Sequence, residues 1–277
     1  MTSLTLRPLA PSLGAVVEGV DLAGEDPTSI KGSIESALDE HLVLFFENQR
    51  LTPRQQRDLA AAFGPLYTHP FYPGMSEASE VMVLENDAQR PPSADRWHND
   101  VTFLERPPKM AVLYSEAIPA IGGDTLWANM YRAFSDLSEP LQTLLRGLRA
   151  EHSFAKNFTP DRFKRIGMED RMASLYQQHP LVSHPVARVN RTTGRCALYV
   201  NQDFTTRILG VSQRESDVLL GFLFEHMERP QYQIRWRWSP NTLVIWDNRW
   251  TQHCALGDYY PNYRRMRRVT VLDQEPV

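Results

Sequence analysis

The sequence predicts a β-sandwich or jelly-roll barrel with helices packed on its outside. Two observations carry that reading. Short strand-like runs recur along the chain with turn signals between them, and strands and helices do not alternate as a doubly wound sheet requires. A third comes from one segment. Tyr232, Ile234, Trp236 and Trp238 alternate with Gln233, Arg235 and Arg237, the pattern of a half-buried strand.

The elements follow in order. Residues 29–41 read as an amphipathic helix feeding an apolar strand over 42–46. Thr52 is placed to cap a helix that has Pro53 in its first turn and runs to about Phe63. Runs at 81–84, 97–103, 110–116 and 125–128 read as strands. Residues 131–148 look helical, with Pro140 marking a break or a new start. Residues 161–178 give a weaker helix. Strands at 182–190 and 197–201 are joined by the turn-like Arg191-Thr192-Thr193-Gly194. Ser212 caps a helix to about Arg229, and strands at 242–246 and 264–272 follow. No repeat, low-complexity tract or Gly/Ser linker divides the chain, so residues 1–277 are expected to form one domain.

Composition excludes several classes. The 277 residues are 42% hydrophobic and 23% charged, which suits a globular core and not a disordered, collagen-like or coiled-coil chain. A net charge of −3 speaks against nucleic-acid or membrane-surface partners that act by bulk attraction. Cys196 and Cys254 are the only cysteines, so no disulfide framework is expected. The N-terminus lacks the pattern of a signal peptide, and the longest apolar runs are strand-length. A soluble cytoplasmic protein is the expectation.

The sharpest chemical feature is Trp97-His98-Asn99-Asp100-Val101-Thr102-Phe103. On a strand, residues two apart share a face, so His98 and Asp100 would project together. With a distal histidine they would form a two-histidine, one-carboxylate face, the arrangement of non-haem Fe(II) oxygenases. His253 is the best candidate for that third ligand. His-x-Asp is common by chance, and a hydrogen-bonded structural pair is the alternative on spacing alone. The second feature is Arg264-Arg265-Met266-Arg267-Arg268-Val269-Thr270. Strand periodicity puts Arg264, Met266, Arg268 and Thr270 on one face, with the two arginines about 13 Å apart. Looking inward they could hold two different anions; otherwise the run is a solvated face. Gly122-Gly123-Asp124-Thr125 reads as a tight turn into a strand, without the lysine of a phosphate loop. His152, His179, His184 and His226 read as structural, and Cys254 as packing.

Taken together these blocks resemble the taurine dioxygenase (TauD/TfdA) family of Fe(II)- and 2-oxoglutarate-dependent dioxygenases. The likeness runs nearly end to end. It is carried by WHNDVTF (97–103), GGDTLW (122–127), RAEHSF (149–154), DFTTRI (203–208), IRWRW (234–238), IWDNRWTQH (245–253) and DYYPNYRRMRRVT (258–270). The resemblance implies a double-stranded β-helix with helical insertions. It implies His98, Asp100 and His253 as iron ligands, with no catalytic residue beyond them. It implies Thr125 and Arg264 for the distal carboxylate of 2-oxoglutarate. Arg268 matches the arginine that holds the substrate's sulfonate, and His69, Tyr72, the Val101 amide, Phe158 and Phe204 match other substrate-pocket positions. Fe(II), 2-oxoglutarate and O₂ are the implied cofactors and cosubstrates.

The implied reaction is hydroxylation of a small anionic substrate, a sulfonate such as taurine, releasing sulfite and an aldehyde. An alkyl sulfate, an aryloxyalkanoate or an amino-acid-like metabolite is the alternative substrate, and a catalytically inactive jelly-roll binding protein the alternative from another class. A homo-oligomer, dimer or tetramer, is left open. The chain departs from the pattern at Ala94, where taurine dioxygenases carry an asparagine near the substrate amine, and at Asn99 and Trp250, where close relatives carry Thr and Val.

Overall fold

The computed structural model describes residues 4–69, 74–92 and 95–273. Two sheets pack across a shared core. Across the larger sheet the strands run Thr5–Pro8, Ala15–Glu18, Val43–Phe46, Leu243–Asp247, Pro108–Ala117, Arg264–Leu272, Ala78–Asn86 and Gly74–Met75. Leu66–Tyr67 adds to the Arg264–Leu272 strand off this path. In the smaller sheet Thr125–Asn129 lies between Gln233–Trp236 and Thr251–Ala255. Strands distant in sequence pair side by side and mostly antiparallel, which is the jelly-roll core the sequence predicts.

Side-chain alternation explains why some strands read as unbroken apolar runs. Val43 and Phe45 face the shared core with Trp127, Val244, Trp246 and Met266. Leu44 and Phe46 face outward with Leu243, Ile245, Val269 and Val271, where Ile30, Ile34, Leu59 and Ala60 cover them. Those covering residues come from the helices Pro27–His41 and Pro53–Ala61. A strand buried on both faces needs apolar residues at every position.

The helix signals act where the sequence places them. Thr52 and Gln55 form a capping box, with Pro53 in the first turn. Ser212 and Glu215 form another at the head of Gln213–Met227. Pro140 does start a new helix: 131–148 divides into Met130–Ser135 and Glu139–Arg146. The weaker helix divides into Pro160–Arg165 and Glu169–Gln178, around Gly167 at φ +66.

One expectation is corrected. Residues 97–103 are not a strand. Only His98 pairs, in a single bridge to His253, and the chain then turns, with Val101 at φ 57. The predicted strand at 182–190 also splits, because Val182–Pro185 pairs with Arg149–His152 and Ala187–Val189 with Cys196–Leu198. Among the described residues, no helix is long and apolar enough to cross a membrane.

Candidate active site

The smaller sheet aims the first group. Thr125 and Trp127 share a strand face, and His253 is registered opposite Trp127, so all three face the interior. The His253 ring packs 4.9 Å from that of Trp246, a core residue of the larger sheet. The bridge to His98 then fixes the second histidine: His98 N donates to His253 O at 3.0 Å, and His253 N to His98 O at 2.9 Å. The two imidazoles sit 4.2 Å apart. Asp100 arrives by the turn, with Oδ1 3.9 Å from His98 Nε2. One ligand atom from each of His98, Asp100 and His253 lies within 4.8 Å of the others. The convergence that strand alternation predicts is therefore real, but a turn produces it.

That turn is held by buried amides and histidines. Asn248 Oδ1 accepts from Asp100 N at 2.8 Å, and Asn248 Nδ2 donates to the carbonyls of Asp100 and Pro108. Asn99 Nδ2 donates to the carbonyls of Asn248 and Thr251 at 2.9 and 2.7 Å, which gives the Asn99 departure a fastening role. Thr102 is pinned by its hydroxyl at 2.9 Å from His152 Nδ1 and by its carbonyl at 2.9 Å from His184 Nε2. Burial pulls His184 down to about 4, so the ring is neutral there. Those two histidines are structural, as the sequence reading has them. Trp250 stacks on Tyr131, with ring centroids 5.0 Å apart, and does not enter the triad.

The donor chemistry fits a divalent metal. His98 Nδ1 lies 2.8 Å from Arg96 O; a carbonyl only accepts, so Nδ1 donates there and Nε2 is the ring nitrogen turned toward Asp100. Burial, with the neighbouring His98, pulls His253 down to about 3, which keeps its ring neutral and able to offer a lone pair. Burial alone would raise Asp100, but Arg268 and the two histidines outweigh it and hold the carboxyl below its ordinary range. Asp100 Oδ2 and His253 Nδ1 are buried polar atoms without a hydrogen-bond partner among the described residues. Two imidazoles and a carboxylate are a ligand set that suits iron.

The arginines divide as strand periodicity predicts. Arg264 is buried, makes no ion pair among the described residues, and its Nε has no partner. Its stem fits because residue 123 is glycine. At φ +75, a Cβ there would sit 3.2 Å from Arg264 Cδ and Nε. Thr125 Oγ1 accepts from Trp238 Nε1 at 3.0 Å, which leaves the hydroxyl proton free to donate. Arg268 reaches the triad itself, with one guanidinium nitrogen 2.7 Å from Asp100 Oδ1, while its Nε is unpartnered.

A third wall is apolar. Val101, Phe103, Phe154, Phe158 and Phe204 form one buried cluster. His69 packs 6.3 Å from the Phe158 ring, and burial, reinforced by the Arg268 charge, pulls it down to about 3. The Val101 amide donates no hydrogen bond among the described residues. Tyr72 and Ala94 lie outside the described residues. Sequence reasoning missed Asn248 and Tyr67. Their only signals are an amide within DNRW and a Tyr-x-His alternation, and neither is specific.

Comparisons with known proteins agree with this geometry. The profile of the Taurine catabolism dioxygenase TauD, TfdA family matches residues 5–270. The chain is 36% identical over 276 residues to an alkylsulfatase of Acinetobacter baylyi, covering 97% of this chain and 84% of that one. It is 35% identical over 285 residues to an alpha-ketoglutarate-dependent sulfate ester dioxygenase of Pseudomonas putida, covering 99% and 91%. A solved taurine dioxygenase from Burkholderia xenovorans superposes with a TM-score of 0.83 at 33% identity, covering 100% of this chain and 91% of that one.

Proposed function

The chain belongs to the TauD/TfdA family of Fe(II)- and 2-oxoglutarate-dependent dioxygenases, and on that premise we propose that it hydroxylates the carbon bearing the anionic head of a small organic sulfate or sulfonate. The observation that carries the reading is the buried His98–Asp100–His253 cluster with Arg268 on Asp100, opening beside a phenylalanine-lined wall. His98, Asp100 and His253 would hold the iron. Bound there, iron supplies the centre at which O₂ and 2-oxoglutarate give succinate and CO₂, and at which the second oxygen atom enters a substrate C–H bond.

The chain's own residues do the rest. Arg264 and the Thr125 hydroxyl receive the distal carboxylate of 2-oxoglutarate, a role that suits a buried cation that makes no ion pair among the described residues. Arg268 keeps Asp100 ionised and turns its free Nε to the substrate anion. The Val101 amide and His69 add to that anion's surroundings. Hydroxylation α to a sulfate or sulfonate gives an unstable adduct that breaks to an aldehyde and sulfate or sulfite.

Within this class the wall favours an apolar tail over taurine's ammonium. Phe158 is already covered by the Arg162 guanidinium, 4.6 Å from the ring centroid, so a second cation meets like charge. The sulfate-ester chemistry named for the Acinetobacter baylyi and Pseudomonas putida relatives points the same way. The test is succinate formation, dependent on Fe(II) and O₂, over alkyl sulfates, alkanesulfonates, taurine and aryloxyacetates. Turnover should be fastest with apolar-tailed sulfur oxyanions and poorer with taurine. Activity confined to carboxylates would refute the proposal.

A further inference from the structure

Tyr67 ends the short strand Leu66–Tyr67 and pairs opposite Thr270, two positions from Arg268. Its ring stands edge-on to His69, with centroids 5.9 Å apart, and packs against the Val101–Phe158 cluster. Its hydroxyl oxygen is buried and has no hydrogen-bond partner among the described residues. A buried tyrosine hydroxyl ordinarily finds a partner, because leaving it bare sacrifices a hydrogen bond to water. The charges of Arg268 and Asp100 both act on this phenol. Tyr67 Oη, Arg268 Nε and the Val101 amide are thus three donors left unfilled by the described residues, on one strand pair and the aromatic cluster packed against Tyr67.

The number of donors matters. A sulfate ester or sulfonate presents three terminal oxygens in a pyramid; a carboxylate presents two in a plane. We infer that Tyr67 is a specificity residue of the substrate site, its hydroxyl donating to the third oxygen of a tetrahedral sulfur oxyanion. This rests on the substrate class proposed above.

The variant Tyr67→Phe keeps the ring and deletes the hydroxyl. The enzyme loaded with Fe(II) and 2-oxoglutarate, kept anaerobic, is titrated calorimetrically with hexyl sulfate, hexanesulfonate and heptanoate. The sulfur oxyanions should bind about tenfold more weakly to the variant, the loss of one charge-assisted hydrogen bond. Heptanoate should change less than threefold, and 2-oxoglutarate affinity not at all. A second readout needs no ligand. Removing an unpartnered buried hydroxyl should leave the melting temperature of the free protein unchanged or raised. Equal weakening for all three heads, no weakening, or a clear fall in melting temperature would each overturn the assignment. Wild-type protein that binds neither sulfur oxyanion would overturn the substrate class as well, whereas tight wild-type binding unaffected by Tyr67→Phe would overturn Tyr67 alone.

Discussion

Arg264 and Arg268 face the barrel interior, while Arg265 and Arg267, their neighbours on the same strand, face outward. The two pairs meet their charge in opposite ways. Outside, Arg265 Nε donates to Glu116 at 2.6 Å and lies 3.3 Å from Glu85. Arg267 donates to the Leu51 carbonyl at 2.6 Å, sits 3.3 Å from Glu116, and stacks 4.4 Å from the Tyr114 ring. Inside, among the described residues, Arg264 makes no ion pair and Arg268 pairs with Asp100 alone, which the metal reading also claims. Among the described residues the outer pair meets the carboxylates of Glu85 and Glu116, whereas the inner pair meets only that of Asp100. Buried cations without protein anions mark where small anions belong.

The strongest way to break this contrast is to remove the interior metal site. His253→Ala should abolish stoichiometric Fe(II) binding and cut turnover by more than about 100-fold, since losing even an outer partner of a metal ligand costs 10–100-fold. Iron content and succinate formation measure it. Full iron occupancy with wild-type turnover would remove His253 from the site.

The next effect separates adjacent arginines. Arg264→Ala should raise the 2-oxoglutarate KM by about 10- to 100-fold, the loss of a charge-assisted pair worth roughly 1.5–3 kcal/mol. Arg265→Ala, one residue along, should leave it unchanged. Initial rates against 2-oxoglutarate concentration decide the matter. Equal shifts in both variants would mean that strand face does not sort these residues.

How much of this was legible in the sequence depends on the kind of signal. The inward and outward division of 264–270 was, because strand alternation is geometric and the strand runs continuously over Arg264–Leu272, its register shifts against Pro108–Ala117 notwithstanding. The capped helices were too, since Thr52/Gln55 and Ser212/Glu215 are local chemistry. The conformation of 97–103 was not. His-x-Asp reads as a strand, but Asn248, 148 residues away, binds the Asp100 amide and holds a turn. Strands such as Arg149–His152 and Thr205–Ile208 escaped as well. Their sequences, RAEH and TTRI, carry no apolar alternation, and only mutual pairing makes them strands. Tyr67 escaped for a similar reason: its unpartnered hydroxyl is a property of the folded surroundings.

The smallest effects lie wholly on the outer face and sharpen the contrast from its other side. Arg267 is buried. Arg267→Ala leaves the Leu51 carbonyl without its donor and opens space beside Tyr114, so it should cost about 1–3 kcal/mol of stability. Arg265 keeps 29% of its side chain exposed. Without it, Glu116 retains Arg267, and Glu85 retains Arg90 at 2.6 Å and Tyr263 at 2.6 Å. Arg265→Ala should therefore cost less than about 1 kcal/mol, the ordinary worth of a partly exposed pair. Denaturant midpoints at constant slope rank the two. Neither variant should shift the KM for 2-oxoglutarate or for the sulfur oxyanion, because neither side chain faces the interior. A cosubstrate defect in Arg267→Ala larger than that in Arg264→Ala would reverse the assignment of the two faces.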